Sequence, residues 1–107
     1  MRKAVRQGDV LIWPVTAIPQ EAVPVKAQND RLIVAHGEAT GHHHSFPHMR
    51  GAVLFRDDSA GGRLYVQAEK SVVLEHQEHS TLTVSKGDNI VIRQRTMSAG
   101  LVIRVED

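Results

Sequence analysis

The sequence predicts an all-β fold, a small antiparallel barrel or sandwich, and three observations predict it. Short runs rich in Val, Ile, Leu and Thr recur along the 107 residues, separated by turn signals. No segment keeps a 3.6-residue apolar period for three turns, which argues against helices. Near the C-terminus Leu101, Ile103 and Val105 alternate with Val102, Arg104 and Glu106, the period of a strand with two different faces.

Taken in order, Gly8 and Asp9 form a turn before an apolar run over residues 10–15, where Pro14 excludes a helix. Pro19, Pro24 and the Gln28, Asn29, Asp30 group make residues 16–30 a loop that crosses the domain. A second strand is predicted over 31–36. Gly37 and Gly41 then bracket a turn that leads into the first histidine group. Further strands are predicted over 52–56, 64–69, 71–75, 81–85, 89–95 and 101–106, with turns at 57–62, 86–88 and 98–100. Within 89–95, Ile90 and Ile92 oppose Val91, Arg93 and Arg95.

A chain of this length, 41% hydrophobic, suits one core and therefore one domain over residues 1–107. Thirteen basic residues against twelve acidic ones give a formal charge of +1, too little for a global field that recruits nucleic acid or membrane. A local basic patch leaves nucleic acid open as a partner. No stretch reaches the roughly 18 apolar residues of a membrane span, and no apolar leader is visible at the N-terminus, so the expectation is a cytoplasmic protein without membrane contact. Cysteine is absent, so disulfides and thiolate metal sites are excluded and any metal must be held by nitrogen and oxygen.

Six of the seven histidines fall in two groups, His42, His43, His44 and His48 in one, His76 and His79 in the other. Imidazole is a common metal ligand and also titrates near neutrality. In an extended segment His42 and His44 share a face and His43 points away, while His48 is set apart by Pro47. His76 and His79 sit where one strand ends and the next begins, at a hairpin end. One site built from His42, His44, His76 and His79 supplies enough ligands for a divalent metal ion such as Zn, Fe, Ni or Mn. Glu78 is the candidate catalytic base, with Glu75 as an alternative carboxylate. His36 and His43 are read as structural or surface residues.

Arg93 and Arg95 either hold an anion beside the histidines or, more simply, solvate an exposed strand face. Glu38 to Gly41 lacks the lysine and helix of a phosphate loop. Trp13, Phe46, Phe55 and Tyr65 are too few for a base-stacking platform and are expected in a core or interface. Asp57 and Asp58 lack the spacing of a calcium loop and read as a hairpin turn.

The His42, His44, His48 spacing resembles the first metal motif of the cupin superfamily, His-x-His followed by Glu, with His48 at the Glu position. The second cupin motif, with Pro-x-Gly before its histidine, is missing. The resemblance covers about ten residues and implies a cupin-like fold in which His76 or His79 completes the ligand set. A longer likeness is to a group of small bacterial proteins without an established activity. It runs through Arg6-Gln7-Gly8-Asp9-Val10-Leu11, then Gly37-Glu38-Ala39-Thr40-Gly41-His42-His43-His44, Leu74-Glu75-His76-Gln77-Glu78-His79 and Arg93-Gln94-Arg95. This likeness picks out His42, His44, His76, Glu78 and His79, and departs at Gln77 and Thr96, where the group carries acidic residues.

Three functions follow as expectations. The first is a metal-dependent hydrolase or other cupin-like enzyme acting on a small-molecule or phosphorylated substrate. The second is a metal-free enzyme using paired histidines as acid and base on phosphodiesters. The third is a non-catalytic module that binds a protein partner. Short β domains with exposed edges also form homodimers.

Overall fold

A computed structural model describes residues 4–36, 42–47, 51–77, 79–93, 95–98 and 101–104. It is all-β and antiparallel throughout, with one 3-10 turn and no α-helix among the described residues. The strands are β1 (Val5–Gln7), β2 (Val10–Pro14), β3 (Val23–Pro24), β4 (Arg31–His36), β5 (His43–Pro47) and β6 (Ala52–Asp57). They continue as β7 (Arg63–Ala68), β8 (Val72–Leu74), β9 (Leu82–Val84), β10 (Gly87–Arg93), β11 (Arg95–Ser98) and β12 (Leu101–Arg104). No described helix is long and apolar enough to cross a membrane.

Two layers face each other. The larger is a six-stranded sheet in the order β1-β2-β10-β7-β6-β3. The smaller consists of the hairpins β4-β5 and β8-β9, stitched together where Ser45 and Glu75 exchange backbone hydrogen bonds of 2.9 Å. Alternation along each strand decides what lies between the layers. Val10, Ile12, Leu54, Val66 and Ala68 come from the large sheet, and Leu32, Val34, Phe46, Val72, Leu74 and Val84 from the small one. Burying a side chain such as Phe46 or Leu74 stabilises the fold by about 1.5–3 kcal/mol relative to exposure. The arrangement is an open sandwich rather than a closed barrel.

The structure adds to the sequence expectation: β5 and β11 are strands as well, and three further points stand out. Val5–Gln7 is a strand, paired with β2 so that Gln7 lies opposite Val10, because the hairpin supplies partners its short, charged sequence does not advertise. Val23–Pro24 is a two-residue strand at the sheet edge, where a proline is tolerated because no donor is needed. In β10 the inner face carries Val91, which packs on the core, and Ile92 is 37% exposed. The register explains this, since Val91 sits opposite Ile12 of β2 and Leu64 of β7. Trp13, expected in a core or an interface, is not in the core but exposed on the outer face opposite Ile90, whereas Phe46 and Tyr65 are buried.

Candidate functional site

Three segments far apart in sequence meet at one end of the sandwich: the β1-β2 turn, the start of β5 and the β8-β9 connection. β1 and β9 are in contact, which closes this end of the two layers. A register shift in the β4-β5 pair between Ile33 and Ala35 sets Ala35 opposite His44, and such bulges re-aim side chains near sites. The strand period then turns His42 and His44 toward His76. Ring centroids are 5.9 Å apart for His42 and His76, 4.4 Å for His44 and His76, 4.6 Å for His76 and His79, and 5.9 Å for His44 and His79. All four predicted histidines therefore belong to one continuous cluster.

His44 is its fixed member, 2% exposed. Gln7, itself 3% exposed, donates through Nε2 to the carbonyls of Leu74 at 3.0 Å and Ser80 at 2.9 Å. Carbonyls only accept, so the amide is oriented and its Oε1 must be the atom 2.9 Å from His44 Nδ1. His44 consequently carries its proton on Nδ1 and presents a lone pair at Nε2. Burial, reinforced by the neighbouring His76, lowers the His44 pKa from 6.5 to about 4, so the ring is neutral at physiological pH.

Asp9, 5% exposed, lies beside it, with Oδ1 3.7 Å from His44 Nε2 and Oδ2 accepting from Arg93 Nε at 2.6 Å. Arg93 thus serves as the counter-ion of a buried aspartate instead of solvating an outer face. Gly8 separates Gln7 from Asp9 with φ of +59°, as a tight hairpin loop with glycine at its first position requires. A Cβ there would stand 2.8 Å from His79 Nε2 and 3.2 Å from His44 Cε1. The turn can approach the imidazoles this closely only because position 8 has no side chain.

The remaining predicted residues divide. His43 points away from the cluster as the strand period requires, but it is more than a surface residue. Its Nδ1 is 2.9 Å from Ser45 Oγ, and its backbone N–H donates to Gln77 Oε1 at 2.8 Å. Glu75 accepts from Arg31 Nη2 at 2.6 Å, and Arg31 also donates to the buried Ser45 Oγ. Arg31, His43, Ser45, Glu75, His76 and Gln77, with Thr81, line a cleft of about 460 Å³. His76 belongs to both cleft and cluster, and its Nδ1 accepts a long 3.3 Å hydrogen bond from the backbone of His79. Glu78, the predicted base, and His48 lie outside the described residues.

Imidazoles that share one ion at about 2 Å from each ligating nitrogen have centroids roughly 4.5–5.5 Å apart. The observed 4.4–5.9 Å spans that range. Among the described residues, however, no three His, Asp or Glu side chains already enclose a common point as a ligand set. The rings pack against one another, and turning them is what a cation would require.

Residues 6–94 match the model of one family, a domain of unknown function (DUF8820). The chain belongs to this family. The match starts one residue before Gln7 and ends one after Arg93, so the family's domain includes the whole cluster and its supports. No curated protein and no solved structure matches the chain. Sequence reading of this DUF8820 member missed Gln7 and Asp9 as parts of the site. The available signal was a Gln-Gly-Asp triplet between two strands, whose buried polar side chains need partners somewhere.

Proposed function

We propose that this DUF8820 domain binds a divalent metal ion through His42, His44, His76 and His79. The observation that carries the reading is that imidazoles from two chain segments form one cluster, with the buried His44 locked by Gln7 in the tautomer that offers Nε2 as a ligand. A ligating histidine whose other nitrogen donates to a fixed partner is the usual arrangement around protein-bound metals. His76 and His79 are less buried than His44 and sit beside it, where they would join an ion that His44 positions. On the same reading the domain is a reduced cupin-like module, supported by the His-x-His at the start of β5 and by histidines from a second segment.

Bound there, a divalent ion would polarise a carbonyl or phosphoryl oxygen or activate water. The protein's own part is to hold His44 neutral and oriented and to offer, past His76, the polar cleft in which a small molecule fits. A metal-free acid and base pair has one observation in its favour: His44 Nε2 is an acceptor, while His76, accepting at Nδ1, carries its proton on Nε2. A pKa near 4 makes His44 a poor base at neutral pH, so the metal reading is preferred.

The test is metal analysis of untagged protein purified without chelator or nickel resin, beside the His42→Ala/His79→Ala double variant. Near-stoichiometric metal that vanishes in the variant is the expected result. Wild-type protein that is empty and takes up no added Zn²⁺, Fe²⁺, Ni²⁺ or Mn²⁺ overturns the proposal.

A further inference from the structure

We infer that the small layer carries a subsite for a small organic anion, a carboxylate or phosphate group on a short apolar body, held by Lys70 and Arg31 next to the cleft at His76. As a substrate site it rests on the metal-binding reading above, whose substrate class it names, and it extends that reading to residues outside the histidine groups.

Two clefts lie side by side. The one already described, of about 460 Å³, contains His76. A second of about 550 Å³ is lined by Pro47, Lys70, Ser71, Val72 and Val73, and the two share Arg31 and Glu75. Both volumes suit a small molecule. Arg31 is held at the junction. Its Nε donates to Ser45 Oγ at 3.0 Å, and its Nη2 donates to the same oxygen at 2.8 Å and to Glu75 Oε1 at 2.6 Å. Among the described residues no acceptor takes up Nη1. The guanidinium is therefore fixed in place with one nitrogen left for a ligand.

Lys70 supplies the charge. Its stem lies over Gly51, where a Cβ would stand 2.9 Å from both Cγ and Cε, so a position without a side chain lets the stem lie flat. The Gly51 carbonyl accepts from the Glu69 N–H at 2.8 Å, which ties this glycine to the segment that carries Lys70. Among the described residues the Lys70 ammonium pairs with no carboxylate. Glu75 already neutralises Arg31, so the described lining of the second cleft keeps one positive charge. Beside that charge the wall is apolar: Val73, opposite Thr83 in the β8-β9 hairpin, is 42% exposed and shares the cleft with Pro47. An ammonium next to an exposed valine and a proline selects an anion with an apolar body over a neutral polar molecule. The other end of such a ligand, passing Arg31 into the first cleft, reaches His76, where a metal held by the histidines would polarise it.

The probes are n-butyl phosphate and pentanoate, titrated into metal-free protein labelled with ¹⁵N, with n-butanol as the uncharged control. Amide shifts report the site, and the dispersion of the spectrum checks folding. The expected result is saturable shifts at Ser71, Val73 and Glu75 with at least one of the anions and none with butanol. The tighter anion identifies the head group. Lys70→Gln keeps the stem over Gly51 and removes the charge, and is expected to weaken binding about fivefold or more; Lys70→Glu is expected to abolish it. Anions that give no saturable shifts, or a folded Lys70→Gln that binds them as wild type does, overturn the inference. Because the protein is metal-free, such a failure leaves the metal reading to its own test, uptake of Zn²⁺. Lys70-dependent anion binding in a protein that takes up no metal sustains the anion site and sinks only the metal reading.

Discussion

Two buried aspartates occupy two hairpin turns and do opposite work. Asp57, 4% exposed, ends β6 and satisfies itself locally: its Oδ1 accepts from the backbone N–H of Ser59 at 3.0 Å and from Ser59 Oγ at 2.6 Å. The resulting 3-10 turn closes at Gly61 in the left-handed region, and among the described residues the carboxylate's donors lie two residues away. Asp9 is buried as deeply, yet its Oδ2 accepts from Arg93, 84 residues away, and its Oδ1 lies 3.7 Å from His44 Nε2. A carboxylate capped by its own turn serves local structure. One engaged by a distant strand and set beside an imidazole ties its turn to the histidine cluster.

The largest expected effect comes from acidification of the metal-free protein. His44 titrates near 6.5 when unfolded and near 4 in the fold, so between those values the unfolded chain binds the extra proton. Stability is full above about pH 6.5, falls as pH drops through that window and levels off below about 4. The loss attributable to this 2%-exposed ring is about 3 kcal/mol. Urea unfolding across pH 4–7 measures it, and a His44→Gln variant should show a flatter profile. An identical profile in the variant would show that His44 is not the group responsible.

Gln7→Leu is expected to rank next. It strands the Leu74 carbonyl and His44 Nδ1 in a buried region, a loss of about 2–3 kcal/mol in denaturant unfolding, and it releases the tautomer so that metal affinity drops as well. Gly8→Ala forces a positive φ on alanine and pushes a methyl into His79, for about 1–2 kcal/mol and a weakened metal site. Asp57→Ala, by contrast, should cost about 1 kcal/mol through loss of its cap and leave metal affinity unchanged. A change in metal uptake in Asp57→Ala would erase the distinction between the two turns.

How far the site was legible follows the same division. The gathering of His42, His44, His76 and His79 was readable because strand period and hairpin position act over a few residues. The displacement of His43 to the other face was readable for the same reason. The cleft contacts of His43 were not, since they depend on Gln77, 34 residues away. Arg93 illustrates the boundary: alternation marks it as a strand residue, but which face is outward depends on the register against β2 and β7. The sandwich was legible only as one of two options, since closure depends on how edges meet and not on any local pattern.

The sequence by itself determined an all-β antiparallel domain, most of its strands and the histidines that assemble, because backbone period and turn chemistry are short-range properties. The tertiary structure alone decided which imidazole nitrogen carries a proton and which aspartate faces the cluster. Those outcomes hang on hydrogen bonds and an ion pair spanning 67 to 84 residues, from Gln7 to Leu74 and from Asp9 to Arg93. Once buried, such groups must find partners or a cation to replace the water they lost.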